Sequence, residues 1–116
     1  MEVRILGYKI NDITKKISLT RGDTLRLAIN IYDNDNIYTP SKNDSIRFAM
    51  KKTYGSNVVL IHKDISTDSM ILTISPNDTK QLAFGTYVYD IEITFEDGDV
   101  DTFISGVFEI LPEVEW

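Results

Sequence analysis

The sequence predicts an all-β sandwich of about seven to nine antiparallel strands, with one short helical turn near residues 76–84. Apolar and polar residues alternate along most of the chain, which is the pattern of strands that bury one face. Gly, Pro, Asn and Asp residues separate these alternating segments. The two segments near the C-terminus flank Asp97-Gly98, a pair typical of a β-hairpin turn. With 116 residues, the chain is expected to be one domain, 1–116, with a core that needs no disulfide bonds.

Six strands are predicted before the helical turn. The clearest covers 24–33, where Leu25, Leu27 and Ile29 face inward. The segment 34–44 is polar and is predicted to be a loop. The segment 58–63 is apolar on both faces, so it is either an edge strand with one covered side or a strand that changes sheet. The other predicted strands cover 3–10, 15–20, 45–52 and 69–75.

A short helical turn is predicted after the sixth strand. Ser75 is a suitable N-cap, Pro76 fits the first helical position, and Asp78 places a negative charge in the first turn. Gly85 is suited to end the turn, because glycine readily adopts a positive φ.

The closing hairpin allows its strand register to be predicted. Asp97-Gly98 favours a two-residue type I′ turn, in which Glu96 pairs with Asp99. The ring of Tyr89 is then expected to cover the gap that Gly106 leaves. The inward pairs of this register are Phe95 with Val100, Ile93 with Thr102, Ile91 with Ile104, Tyr89 with Gly106 and Tyr87 with Phe108.

The same register predicts an apolar cluster on the outward face. It pairs Glu92 with Phe103, Asp90 with Ser105 and Val88 with Val107. Val88, Phe103 and Val107 then share a face that should contact water. Exposed apolar residues are common, and an N-terminal strand or loop could also cover them. The alternative is that the cluster is an interface with another protein or a second copy of the chain.

Composition disfavours several classes of function. The chain has 12 basic and 18 acidic residues and a net charge of −6, which disfavours nucleic acid and anionic membranes as partners. No apolar run has the length of a membrane span, and the N-terminus lacks the apolar segment of a signal peptide. Cysteine is absent, so no disulfide, thiolate nucleophile or cysteine-based zinc site is available. We expect a soluble chain that needs no cofactor.

No catalytic or metal site is predicted, because each candidate lacks a necessary neighbour. His62 is the only histidine, and Asp64 is too near in a strand to orient it. The segment 33–36 resembles the start of a calcium loop but lacks the later glycine and glutamate. Arg21-Gly22-Asp23 spells an integrin tripeptide, yet its last two residues already suit a turn. The acidic hairpin tip offers a weak divalent site or, preferably, a solvated tip, and comprises Glu96, Asp97, Asp99 and Asp101.

The C-terminal third resembles the immunoglobulin fold. The spacing Asp78…Gly85-Thr86-Tyr87-x-Tyr89 is similar to the D…G-x-Y-x-C signature of the immunoglobulin F strand. This resemblance makes Tyr87 the tyrosine-corner residue and places Tyr89 where the cysteine would be. The chain lacks the two cysteines and the strand-C tryptophan, whose space Phe48 is expected to fill. The residues expected to determine the fold are Gly85, Tyr87, Tyr89, Asp97, Gly98 and Gly106.

Six motifs from Arg21 onward carry a second resemblance. They are Gly22-Asp23-Thr24-Leu25, Asp33-Asn34-Asp35, Ser45-Ile46-Arg47-Phe48, Pro76-x-Asp78-Thr79, Gly85-Thr86-Tyr87-x-Tyr89 and Ser105-Gly106-Val107-Phe108. With these motifs the chain resembles small immunoglobulin-like proteins of tailed bacteriophages, which are similar to the N-terminal domains of baseplate upper proteins. The resemblance implies a non-enzymatic virion structural or accessory protein that is made in the bacterial cytoplasm. Its partners would be other virion proteins of a tail or baseplate, or a second copy of itself.

An alternative function is a carbohydrate- or receptor-binding adhesion module. Tyr32, Tyr38, Tyr54 and Trp116 are expected outside the core, where aromatic rings can stack on a sugar or a receptor surface.

Overall fold

The computed structural model describes residues 2–5, 9–11, 15–33 and 36–114, and it confirms the predicted all-β sandwich. One short helix, α1 (Pro76–Thr79), lies between two strands. The strands of the described residues are β1 (Glu2–Ile5), β2 (Lys9–Asn11), β3 (Lys16–Thr20), β4 (Leu25–Asp33), β5 (Asn36–Tyr38), β6 (Ser45–Lys51), β7 (Ile61–Ile65), β8 (Ile71–Ile74), β9 (Gly85–Thr94) and β10 (Val100–Leu111).

The strands form two sheets. The six-stranded sheet has the order β2-β3-β10-β9-β6-β7. The four-stranded sheet has the order β1-β4-β5, and β8 also pairs with β4. Every pair is antiparallel except β3 with β10, which run parallel. The parallel pair joins the N-terminal part of the chain to its last strand.

Three aromatic rings pack together in the core between the sheets. Phe48 stacks on Tyr89 with ring centroids 5.6 Å apart, and Phe108 meets both rings edge-on at 6.3 and 6.4 Å. All three side chains are buried. Phe48 thus lies within the aromatic centre of the core, where the immunoglobulin pattern would place a tryptophan.

Three segments differ from the sequence prediction. The strand expected over 3–10 is two strands, because β1 belongs to the four-stranded sheet and β2 to the six-stranded sheet. The polar segment 34–44 contains β5, which extends the antiparallel pairing at the end of β4. In the apolar segment 58–63 a strand begins only at Ile61, and β7 is the edge of its sheet. Val58 and Val59 precede it as exposed loop residues.

The helix α1 is shorter than the predicted turn over 76–84. Asp78 accepts a hydrogen bond from the Ser75 N–H at 2.7 Å, which stabilises the first turn. Thr79 ends the helix and is fully buried, where its hydroxyl accepts a hydrogen bond from the Gly22 N–H at 2.8 Å. Gly85 has a φ of +132° and begins β9.

The type I′ hairpin turn predicted at Asp97-Gly98 is wrong. The Phe95 N–H donates to the Asp99 carbonyl at 2.8 Å, so Phe95 pairs with Asp99 across a three-residue loop. Gly98 has a φ of +95°, whereas Asp97 does not have a positive φ. This is a three-residue loop with glycine at its left-handed position. The Asp97 carboxylate accepts a hydrogen bond from the Asp99 N–H at 2.9 Å, which favours this turn.

A bulge at Phe103 then restores the predicted register. Thr102 pairs with Glu92 and Ile104 pairs with Ile91, so Phe103 is the extra residue of β10. Pairs from Ile104 onward are therefore those predicted, including Tyr89 with Gly106. The pairs predicted at the tip, Phe95 with Val100, Ile93 with Thr102 and Glu92 with Phe103, are wrong by one residue.

Candidate interaction surface

The outward face of the six-stranded sheet carries an apolar pair at its centre. Val88 on β9 and Val107 on β10 lie directly opposite each other, and Val107 is 37% exposed. Lys51 on β6 pairs with Val88 from the other side. Lys16 precedes Ile17, which pairs with the residue after Val107, so Lys16 lies beside Val107. The row across four strands therefore reads Lys16, Val107, Val88, Lys51.

A hollow of about 130 Å³ adjoins Val88. The Tyr54 side chain, from the loop between β6 and β7, forms one wall and is 66% exposed. Ala49 is the only small side chain of the lining. The lining residues are Ala49, Lys51, Tyr54, Val88, Tyr89 and Asp90. The hollow offers apolar surface beside one ammonium and one carboxylate group.

Asp90 is the unusual charged residue of this face. It lies two residues after Val88 and is opposite Ala49 on β6 and Ser105 on β10. Partial burial raises the pKa of the Asp90 carboxyl, the negative charge of Glu92 raises it further, and the Lys51 ammonium opposes both. In the part of the chain that the structure describes, the Asp90 carboxylate forms no hydrogen bond or ion pair. It is therefore available to a cationic group from outside.

Two other carboxylates of the face, on β9 and β10, are paired within the chain. Glu92 accepts a hydrogen bond from Arg47 at 2.7 Å. Glu109 on β10 forms an ion pair with Lys16 at 3.4 Å and accepts a hydrogen bond from the Ser18 hydroxyl at 3.3 Å. In each ion pair the basic side chain is exposed to solvent, so the pair contributes little to the stability of the isolated chain.

Phe103 does not belong to the outward apolar cluster in which the sequence places it. The bulge removes it from the position opposite Glu92, and its side chain packs against the hydrophobic core. Successive side chains of a strand point to opposite faces of the sheet. One extra residue in β10 is therefore enough to move the Phe103 side chain from the outward face to the inward face. Val88 and Val107 remain together, and the structure adds Tyr54 beside Val88.

Gly106 lies close to the backbone of Lys15. A Cβ atom at this position would be 2.6 Å from the Lys15 carbonyl oxygen and 3.2 Å from the ring of Tyr89. The Tyr89 hydroxyl donates a hydrogen bond to that same Lys15 carbonyl, and burial raises the Tyr89 pKa. The ring therefore covers Gly106, and its hydroxyl satisfies the nearby carbonyl.

Tyr87 makes the contact of a tyrosine corner. Its hydroxyl donates a hydrogen bond to the Ala83 carbonyl at 2.6 Å, four residues upstream. The Lys52 ammonium lies 4.4 Å from the centre of the Tyr87 ring and donates to the Thr86 carbonyl at 2.8 Å. These contacts give Tyr87 a structural role at the start of β9.

The remaining sequence candidates do not form a chemical site. His62 is exposed on the edge strand β7. Arg21 binds Glu113 through two nitrogens at 3.1 and 3.2 Å and lies over the Phe84 ring, so the integrin-like tripeptide is tied to the C-terminal segment. Among the described residues, no group of three His, Asp or Glu side chains could hold a metal ion, and no helix is long and apolar enough to span a membrane. The segment 33–36 and Trp116 lie partly or wholly outside the described residues, as does the side chain of Tyr32.

Tyr38 is part of the fold. It lies on β5, its ring meets Phe95 edge-on at 5.7 Å, and its hydroxyl donates to Asp44 at 2.6 Å. That hydrogen bond, aided by burial, raises the Tyr38 pKa to about 12. Asp44 also accepts hydrogen bonds from the N–H groups of Ser41 at 2.9 Å and Glu96 at 3.0 Å. Asp44 therefore joins the loop before β6 to the hairpin tip.

The alternation of residues along β9 predicts that Asp90 shares a face with Val88, but it does not indicate which residues of other strands lie beside Asp90. Lys51 and Tyr54 reach this surface only because β6 pairs with β9. Lys16 reaches it because β3 pairs in parallel with β10. Neither pairing follows from a turn that the sequence displays.

No family model matches the chain, and no curated protein matches it. Among solved structures, the fold is similar to that of CopC from Methylosinus trichosporium OB3b, with a TM-score of 0.50 and 14% sequence identity. The match covers 87% of this chain and 88% of the CopC chain. A likeness at this identity establishes the immunoglobulin-like sandwich alone.

The tail or baseplate function that the phage resemblance implied is wrong. The solved structure that the fold resembles is CopC and not a tail or baseplate protein, and neither the family models nor the curated proteins give a match that supports such a function. The motifs behind that expectation are turn glycines, a capped helical start and alternating strands, which reflect the fold and do not specify a function. The resemblance itself stays a prediction.

Proposed function

We propose that this protein is a non-enzymatic binding domain that contacts other protein chains through the outward face of its six-stranded sheet. The observation that supports this proposal is the Val88–Val107 pair at the centre of an open sheet face. An apolar centre with a charged rim is the usual composition of a protein-interaction surface. The rim here comprises Lys16, Lys51, Asp90 and Glu109.

The surroundings of the pair favour a protein partner over a solvated face. The described N-terminal strands lie within the sheets, so neither β1 nor β2 covers Val88 and Val107. Tyr54 extends the apolar surface beyond the sheet, and its amphipathic ring suits an interface. Asp90 adds a carboxylate whose pairing is incomplete in the isolated chain.

Photochemical cross-linking in the organism that encodes the protein tests this proposal. The photoreactive amino acid p-benzoylphenylalanine is placed at Val107, and in a control variant at Val100. Val100 is 58% exposed near the hairpin tip, about 23 Å along β10 from Val107. We expect discrete covalent protein adducts from position 107 that position 100 does not give. Equal labelling from the two positions, or no adduct from position 107, would contradict the proposal.

A further inference from the structure

We propose that the partner of this face is a second copy of the chain, docked face to face about a two-fold axis, with Lys51 of each copy against Asp90 of the other. The inference rests on the proposed function, and it adds the identity of the partner and the register of the interface. It depends on the charge pattern around Val88 and Val107, which is complementary to itself.

In a face-to-face pair with a two-fold axis between the sheets, each residue meets the residue at its reflected position across that axis. Adjacent strands lie about 4.8 Å apart, and two residues span about 6.8 Å along a strand. The axis that brings Lys51 over Asp90 is therefore the perpendicular bisector of the line between them. With these spacings, the axis passes within about 2 Å of both Val88 and Val107. Each valine therefore faces the same valine of the other copy.

The same axis brings a second pair of opposite charges together. Lys16 lies beyond Val107, on the side away from Lys51, and Glu109 lies two residues along β10 in the direction opposite to Asp90. Measured in the plane of the sheet, the two-fold axis places Lys16 of one copy within about 2 Å of Glu109 of the other copy. Because Lys16 and Glu109 also pair within a chain at 3.4 Å, the contact becomes a network of four charges.

One axis therefore satisfies three independent conditions. It pairs Lys51 of one copy with Asp90 of the other, and it pairs Lys16 of one copy with Glu109 of the other. It also buries Val88 and Val107 of one copy against the same two valines of the other. The Asp90 carboxylate gains a direct ion pair that it does not form in the isolated chain, and Val107 loses its exposure to water. An isologous contact of this kind closes after two copies, so it predicts a dimer and not a filament.

The size of the face indicates a reversible dimer. Six strands span about 24 Å, and seven residues of a strand span about 23 Å. Two such faces bury on the order of 1,100 Å² in total, which is at the lower end for specific interfaces. We therefore expect a dissociation constant of about 10 µM or above and a dependence on salt, because charged pairs form the rim.

A charge-exchange experiment tests the inference. Sedimentation equilibrium measures association of the parent chain, Asp90→Lys, Lys51→Glu and an equimolar mixture of the two variants, at up to several hundred micromolar protein and low salt. In a dimer of either variant both Lys51–Asp90 contacts become like-charge contacts, whereas in the mixed dimer both become attractive. We expect each variant alone to associate at least about tenfold more weakly than the parent, and the mixture to recover parental association.

Asp101→Lys is the matched control, because Asp101 is an exposed acidic residue of β10 near the hairpin tip. It changes the net charge as Asp90→Lys does, and it should leave association unchanged. Far-UV circular dichroism of each variant confirms that the sandwich is folded.

Different results of this experiment would overturn different parts of the inference. A parent that stays monomeric overturns the second copy as partner, and cross-linking from position 107 to a different protein would then leave the proposed function standing. A parent that dimerises while the mixture shows no recovery overturns the register. Equal weakening by Asp101→Lys shows that only net charge matters, which also overturns it.

Discussion

Gly106→Ala adds one methyl group where β10 lies close to the Lys15 carbonyl. The new Cβ would lie 2.6 Å from that carbonyl oxygen, whereas ordinary carbon–oxygen contacts are about 3.3 Å or longer. Either the Lys15 backbone or β10 must therefore move by about 0.7 Å. The Tyr89 hydroxyl bonds to the same carbonyl, so the movement also disturbs a buried hydrogen bond.

The expected loss of stability combines three effects. Overpacking in a well-packed region costs about 1–3 kcal/mol. Weakening the Tyr89 hydrogen bond costs about 1 kcal/mol. Because Gly106 does not have a positive φ, alanine is compatible with its backbone and returns about 0.5 kcal/mol by restricting the unfolded chain. The net loss is about 1.5–3.5 kcal/mol, which lowers the Tm by roughly 6–16 °C for a domain of this size.

Urea unfolding followed by far-UV circular dichroism measures this loss, with Gly55→Ala as the matched control. A Cβ at Gly55 meets no atom within 4 Å, so that variant should change the free energy of unfolding by no more than about 0.5 kcal/mol. Combining Gly106→Ala with Tyr89→Phe should cost about 1 kcal/mol less than the sum of the two, because both act on the Lys15 carbonyl. If Gly106→Ala costs no more than Gly55→Ala, the close approach at Gly106 is incorrect.

Three further predictions concern the contacts that hold the loops. Tyr87→Phe removes the hydrogen bond to the Ala83 carbonyl and should cost about 1 kcal/mol in urea unfolding, and no loss would contradict the tyrosine corner. Arg21→Gln removes the Glu113 ion pair and the contact with the Phe84 ring, so we expect a loss of about 1 kcal/mol that shrinks in high salt, and a loss insensitive to salt would exclude the ion pair. The hydrogen bond from Tyr38, together with those from two backbone N–H groups, lowers the Asp44 pKa below its usual value of 3.8. The stabilisation by Asp44 is therefore present above about pH 4 and is lost as the pH falls through the lowered pKa. Asp44→Asn should be less stable than the parent at pH 7, and the difference should narrow below about pH 4; a constant difference would refute this assignment.

The closing hairpin shows how far the alternation of residues reaches. The inward row of Tyr87, Tyr89 and Ile91 follows from the sequence, because the side-chain period of a strand is two. The turn type did not follow, because Asp-Gly suits both a two-residue and a three-residue loop. The extra residue of that loop is compensated by the bulge at Phe103, so the register beyond the bulge is the predicted one. A bulge is set by packing around it, and the sequence carries no distinct signal for it.

The sequence predicts only part of the interaction surface. The sequence predicted that Val88 and Val107 share the outward face, since they belong to strands joined by one turn. It included Phe103 in that cluster, and the bulge turns that side chain towards the core. Lys16, Lys51 and Tyr54 come from strands and a loop distant in sequence, so only the order of strands in the sheet brings them to the same face.

The sequence by itself determined the all-β class, the strands that bury one face and the closing hairpin, because period and turn chemistry are local properties of the chain. The tertiary structure decided which strands are neighbours, where β10 bulges and why Gly106 is needed opposite the Lys15 carbonyl. Those features depend on contacts between residues far apart along the chain, and the free energy of such contacts is set by packing that no short segment contains.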